Sequence, residues 1–182
     1  QNSVNVLSFE RDYENPWLLR SMVTMGHRLR NPKALNTLDA KALVRYGPET
    51  ADVGAALCVL GYQSLSERSD FSLEGSSIIE KIEKYVYTES ENPHVIRWQV
   101  SLMFLLGKLH LESGEILLAT KWFEKCAKSD WNKFSPHLAT KVCDAAFRAG
   151  LLMAQNGRID AAKKLWVLGL DSCFQAINSD KR

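Results

Sequence analysis

No apolar run in this chain is long enough to cross a bilayer as a helix. The longest uncharged stretch of real hydrophobicity, Val53 to Tyr62, is about half the roughly 20 residues that a spanning helix needs. Nothing near the N-terminus resembles a charged leader followed by an apolar signal core, so membrane insertion is not expected. A large excess of one charge is also missing. The net charge is +2, and Lys and Arg alternate with acids across most segments, which makes nucleic acid a poor candidate partner. The densest basic-aromatic cluster, Lys121-Trp122 with Lys125, Lys128, Trp131 and Lys133, is better explained by Trp122 belonging to a core.

Cysteine and histidine are scarce and scattered. Cys58, Cys126, Cys143 and Cys173 form no C-x-x-C pair and sit in apolar stretches, so they read as small buried hydrophobes of a reducing, cytoplasmic compartment. His27, His94, His110 and His137 fall on different predicted helices without H-x-x-x-H spacing, and no metal site is expected. His110 has Glu112 nearby, but residues two apart on a helix point in different directions, so this histidine reads as packing. Also missing are G-x-G-x-x-G, G-x-x-x-x-G-K-[ST] and G-x-S-x-G, the common nucleotide and serine-hydrolase signatures. Leu73-Glu74-Gly75-Ser76-Ser77 is explained by a flexible helix entrance. No cofactor is expected, and the segment reads as non-enzymatic.

What the sequence does contain is helical punctuation. Asn15-Pro16, Asn31-Pro32, Asn92-Pro93 and Ser135-Pro136 each put a capping side chain before a proline at the first helical position, and Pro48 after Gly47 marks a helix end. Between these signals apolar residues recur at helical spacing, as in Leu35, Leu38, Ala42 or Ile78, Ile82, Tyr85. The expectation is an all-α fold of eight helices near 16–30, 32–46, 51–67, 73–88, 93–112, 115–129, 136–155 and 158–177, paired as four antiparallel hairpins. Residues 1–12, with the strand-compatible piece Val4 to Phe9 and Gln rather than Met at the first position, read as a linker or the end of an upstream domain, or as an expression artefact; residues 13–182 read as the helical domain.

The strongest signal is internal. Gly107, Gly114, Ala119, Phe123 and Cys126 recur 43 residues later as Gly150, Gly157, Ala162, Trp166 and Gly169. Two antiparallel helices need this order: a small residue where they cross, a glycine in the turn, then small and aromatic residues facing back. Leu102, Leu106 and Leu109 on one helix, with Leu118, Trp122 and Phe123 on the next, are the expected dry interface. Gly26 and Gly61 are expected to serve as crossing glycines of the first two hairpins. Charge is uneven along this array: residues 11–45 hold seven basic against three acidic side chains, and residues 46–96 three against nine.

The set Leu106-Gly107, His110, Gly114, Ala119, Phe123, Cys126 resembles the tetratricopeptide repeat (TPR), and the second set resembles it again, together covering 99–175. Departures are the 43-residue period against about 34 in that family, and His110 or Met153 in place of its aromatic after Leu-Gly. The resemblance implies a short superhelix whose first helix in each hairpin lines a concave groove for a peptide or partner helix. It assigns the groove to Arg20, His27 and Arg30, then Cys58 and Tyr62, then Phe104 and Lys108, then Phe147 and Arg148. Aromatic walls there would supply area while Arg and Lys hold an acidic group. Only Lys108 and Arg148 suit the family's carboxylate clamp, so a chaperone-tail receptor is not implied. The run from Glu10 to Arg20 is similar to the start of helical C-terminal extensions of bacterial surface-polysaccharide methyltransferases and glycosyltransferases, which implies an accessory or oligomerisation domain as the alternative to a protein-binding scaffold. Homo-oligomerisation through the acidic middle and the basic flanks is a third option, and it predicts a salt-dependent mass.

Overall fold

The computed structural model describes residues 44, 50–66, 73–132 and 137–179. The expected helices 16–30 and 32–46, the segment 1–12, Gly26 and the loop after Ser66 lie outside these residues, apart from Val44, which is helical. Among the described residues there are six helices and no strand: α1 Ala51–Ser66, α2 Leu73–Val86, α3 Pro93–Glu112, α4 Ile116–Ala127, α5 His137–Gln155 and α6 Ile159–Ser179. Each expected boundary in this region is met to within two residues.

Capping explains why the boundaries fall where they do. Asn92, in extended conformation before Pro93, accepts a hydrogen bond from the His94 amide at 3.0 Å and so satisfies one orphan donor of α3. At the other end, Gly114 and Gly157 both adopt φ +75°. Glu115 N–H donates to the His110 carbonyl (2.8 Å) and Gly114 N–H to Leu111 (3.1 Å); Arg158 donates to Met153 (2.9 Å) and Gly157 to Ala154 (3.0 Å). The pattern is the same Schellman turn twice over, and its left-handed position is one that glycine fills without strain.

Hairpins α3–α4 and α5–α6 close on the repeated residues. Gly107 lies against the Phe123 ring and Gly150 against the Trp166 indole, so closely that a Cβ at either position would overlap the aromatic. The Cys126 thiol donates to the Val100 carbonyl (3.5 Å), and one repeat later the Cys143 thiol donates to the Gly169 carbonyl (3.1 Å). The same helix-to-helix contact is made with donor and acceptor helices exchanged. Leu102, Leu106, Leu109, Trp122 and Phe123 are buried as expected, each contributing roughly 1.5–3 kcal/mol of burial. Leu118 is not part of this interface; it is exposed, because the inward face of α4 runs through Ala119, Trp122, Phe123 and Cys126, and position 118 is one residue out of phase with it.

The hairpin α1–α2 joins the same core. Tyr85 donates its hydroxyl to the Thr50 carbonyl (2.8 Å), and buried Gln99 on α3 reaches the Tyr85 and Thr88 carbonyls at the end of α2 (3.3 and 2.7 Å). Gly61 does border its partner helix, through Ile82, but its nearest neighbour is Leu105 on α3, just as Gly54 lies against Trp98. Small residues on α1 therefore admit large ones from α3, and the two helices run parallel. First helices of consecutive hairpins stack side by side in this way, with α3 in turn contacting α5. No helix among the described residues is long and apolar enough to cross a membrane.

Candidate functional site

The row formed by α1, α3 and α5 carries a cluster of cations and rings. Lys108 on α3 places its ammonium 5.0 Å from the centre of the Tyr62 ring on α1. From α5, Arg148 sits 5.9 Å from the rings of both Phe104 and Phe123, and Lys141 lies 5.8 Å from Phe104. Asp144, one turn before Arg148, accepts a hydrogen bond from its Nε at 2.9 Å. The spacing 141, 144, 148 keeps all three on one face of α5.

Among the described residues the cluster is out of electrostatic balance, with Lys108, Lys141 and Arg148 against the carboxylate of Asp144. Burial lowers the pKa of Lys108, and repulsion from Arg148 and Lys141 lowers it further against the attraction of Asp144. Tyr62 is pushed up to about 12, chiefly by burial and then by the nearby Cys58 and Asp144, against Arg148. Beneath the row, burial raises Cys58 to about 11 and Cys126 to about 12, with Lys141 opposing in both cases. Thiols held neutral in this way are poor nucleophiles. The cluster sets positive charge beside the half-buried Tyr62 ring.

Of the expected groove residues, Tyr62, Phe104, Lys108 and Arg148 come together, with Cys58 buried below them. Phe104 is 6% exposed and acts as a floor under Lys141 and Arg148 rather than as an open wall. Phe147 is 58% exposed and joins a different surface; its carbonyl accepts the Trp166 Nε1–H at 3.3 Å. Arg20, His27 and Arg30 lie outside the described residues. Lys141 and Asp144 were missed by the sequence reading, although their spacing ahead of Arg148 on a predicted helix was the available signal.

His110 is buried, as expected for a packing role, but its acidic neighbours are not Glu112. Its Nδ1 lies 2.7 Å from Glu115 beyond the turn, and its Nε2, without a hydrogen-bond partner among the described residues, is 3.8 Å from Glu83 on α2. Among the described residues no group of three or more His, Cys, Asp or Glu side chains could hold a metal ion. Compared with protein-family models, curated proteins and solved structures, the chain matches none.

Proposed function

We propose that this chain is a TPR-like, non-catalytic scaffold whose α1–α3–α5 row binds an extended protein segment carrying carboxylates. The observation that supports it most is the unbalanced trio Lys108, Lys141 and Arg148 set over Tyr62, Phe104 and Phe123. Half-buried cations that repel one another gain most from an anion placed between them, and the Tyr62 ring beside them adds contact area. Fluorescence anisotropy with a labelled hexaglutamate peptide tests the reading. Saturable binding that weakens with salt and falls at least tenfold in Lys108→Ala/Lys141→Ala/Arg148→Ala supports it; equal affinity in wild type and a folded triple variant refutes it.

A second reading, an oligomerisation or accessory element, is favoured by the outer surface of the last hairpin. Leu170 and Phe174 on α6 are 58% and 64% exposed, whereas their counterparts one repeat earlier, Ala127 and Trp131, are 2% and 4% exposed. Val167 and Ile177 extend the stripe at helical spacing, and Phe147 and Leu151 are exposed on the neighbouring helix α5. Sedimentation of wild type against Leu170→Glu/Phe174→Glu distinguishes the readings, since only self-association predicts a drop in mass.

A further inference from the structure

Two cysteines that the sequence reading took for buried hydrophobes behave differently from the other two. Cys58 and Cys126 are buried, but Cys143 on α5 and Cys173 on α6 are each only partly covered. They are also neighbours. The Cys143 thiol donates to the carbonyl of Gly169, which is one helical turn before Cys173 on the same face of α6. A Cβ at Gly169 would come 2.9 Å from the Ala146 Cβ and 3.8 Å from the Cys143 Cα, so the two backbones are at close approach at this level. Cys173 also lies near enough to the Cys143 thiol to raise its pKa.

The repeat does not require this pair. One period earlier the corresponding positions are Val100 and Asp130, and α3 and α4 pack there without two thiols. We propose that Cys143 and Cys173 are a dithiol site that reacts with low-molecular-weight disulfides to form an intramolecular bridge stapling α5 to α6. The chemistry is thiol–disulfide exchange. Cys173, as thiolate, attacks one sulfur of the donor disulfide, forming a mixed disulfide and expelling one donor thiolate. Cys143 then loses its proton to the first expelled donor thiolate and attacks the Cys173 sulfur, expelling the second donor as a thiolate that takes up the proton Cys173 had lost. The two protein thiols are oxidised by two electrons, and the donor is reduced to two thiols.

The order of attack follows from the surroundings. Burial and the nearby Cys173 push the Cys143 thiol up to about 12, which leaves it protonated and a poor first nucleophile at neutral pH, so the opening attack falls to Cys173. Bridging would fix the hairpin that carries Lys141, Asp144 and Arg148, although the proposal does not depend on what those residues bind.

The test is to expose the whole chain to oxidised glutathione and map its peptides by mass spectrometry without reduction. The expected product has lost two hydrogens, joins the Cys143 and Cys173 peptides, keeps Cys58 and Cys126 alkylatable after unfolding, and reverts with dithiothreitol. In Cys143→Ser the reaction should stop at one glutathione on Cys173. Stable glutathione on wild-type Cys173 without a bridge, a bridge between other cysteines, or four unmodified thiols would each overturn the proposal, and the wild-type result decides it even where the variant does not fold.

Discussion

Replacing Gly107 with alanine adds one methyl group at the tightest point of the α3–α4 crossing. The new Cβ would stand 2.5 Å from Phe123 Cδ1, 2.6 Å from Cε1 and 2.8 Å from Cγ, so one whole edge of the ring must move. Phe123 is fully buried and its ring centre is 5.6 Å from that of Phe104, which in turn lies under Lys141 and Arg148. The ring cannot retreat without displacing the second aromatic. Overpacking of this kind costs about 1–3 kcal/mol. Alanine returns up to roughly 1 kcal/mol through its better helix propensity. With the hemmed-in ring placing the cost in the upper part of the overpacking range, about 2–3 kcal/mol, the net loss of about 1–2 kcal/mol should lower Tm by about 2–8 °C in a domain of this size. Thermal unfolding followed by circular dichroism reads this directly, and Gly107→Ala/Phe123→Leu should recover part of the loss because the smaller side chain makes room. A Gly107→Ala protein as stable as wild type, or more so, would refute the crossing geometry.

Gly114→Ala and Gly157→Ala meet no atom within 4 Å, so their cost comes only from the left-handed φ of +75°; about 1–2 kcal/mol each is expected, with Asn costing less than Ala by the same chemical denaturation assay. Asn92→Ala removes the cap on the His94 amide and should destabilise by about 1 kcal/mol. Cys58, Cys126 and Tyr62 are held at about 11, 12 and 12. An unfolded chain releases those protons from roughly pH 8.5 for thiols and 10 for tyrosine, while the folded chain retains them. Their contribution to stability is complete below about pH 8.5 and is lost as pH rises toward 11–12, so urea midpoints should fall over that window and less steeply in Cys58→Ala/Cys126→Ala. Lys108→Gln removes one of three mutually repelling cations; its Tm should be unchanged or higher while hexaglutamate binding weakens, and a lower Tm together with unchanged binding would count against the role given to Lys108.

Helix positions were legible because their signals are local. Asn92-Pro93, Gly114 and Gly157 act within a turn of themselves, and the 43-residue echo of Gly107 and Phe123 in Gly150 and Trp166 marks the crossing partners. Leu118 was misplaced because the apolar stripe of α4 begins with three consecutive large residues, Ile116 to Leu118, and periodicity alone does not say which of them faces inward. The site was only half legible. Tyr62, Lys108 and Arg148 were implied by the tetratricopeptide resemblance; the 141, 144, 148 spacing puts Lys141 on the same face of α5, but its place over Phe104 depends on the stacking of α5 against α3. The contacts of His110 with Glu115 and Glu83 also depend on where the turn and α2 fold back. The nearness of Cys143 to Cys173 joins residues thirty positions apart, and it follows only from the close approach of Gly169 to α5.

The central claim is that the α1–α3–α5 row is where this chain meets an acidic partner. Chemical-shift mapping of isotopically labelled protein during titration with hexaglutamate tests it most directly. The account predicts saturating shifts at Tyr62, Lys108 and the Lys141 to Arg148 stretch, with the outer face of α6 unmoved; shifts confined to Leu170, Phe174 and their neighbours, or none at all, would contradict it.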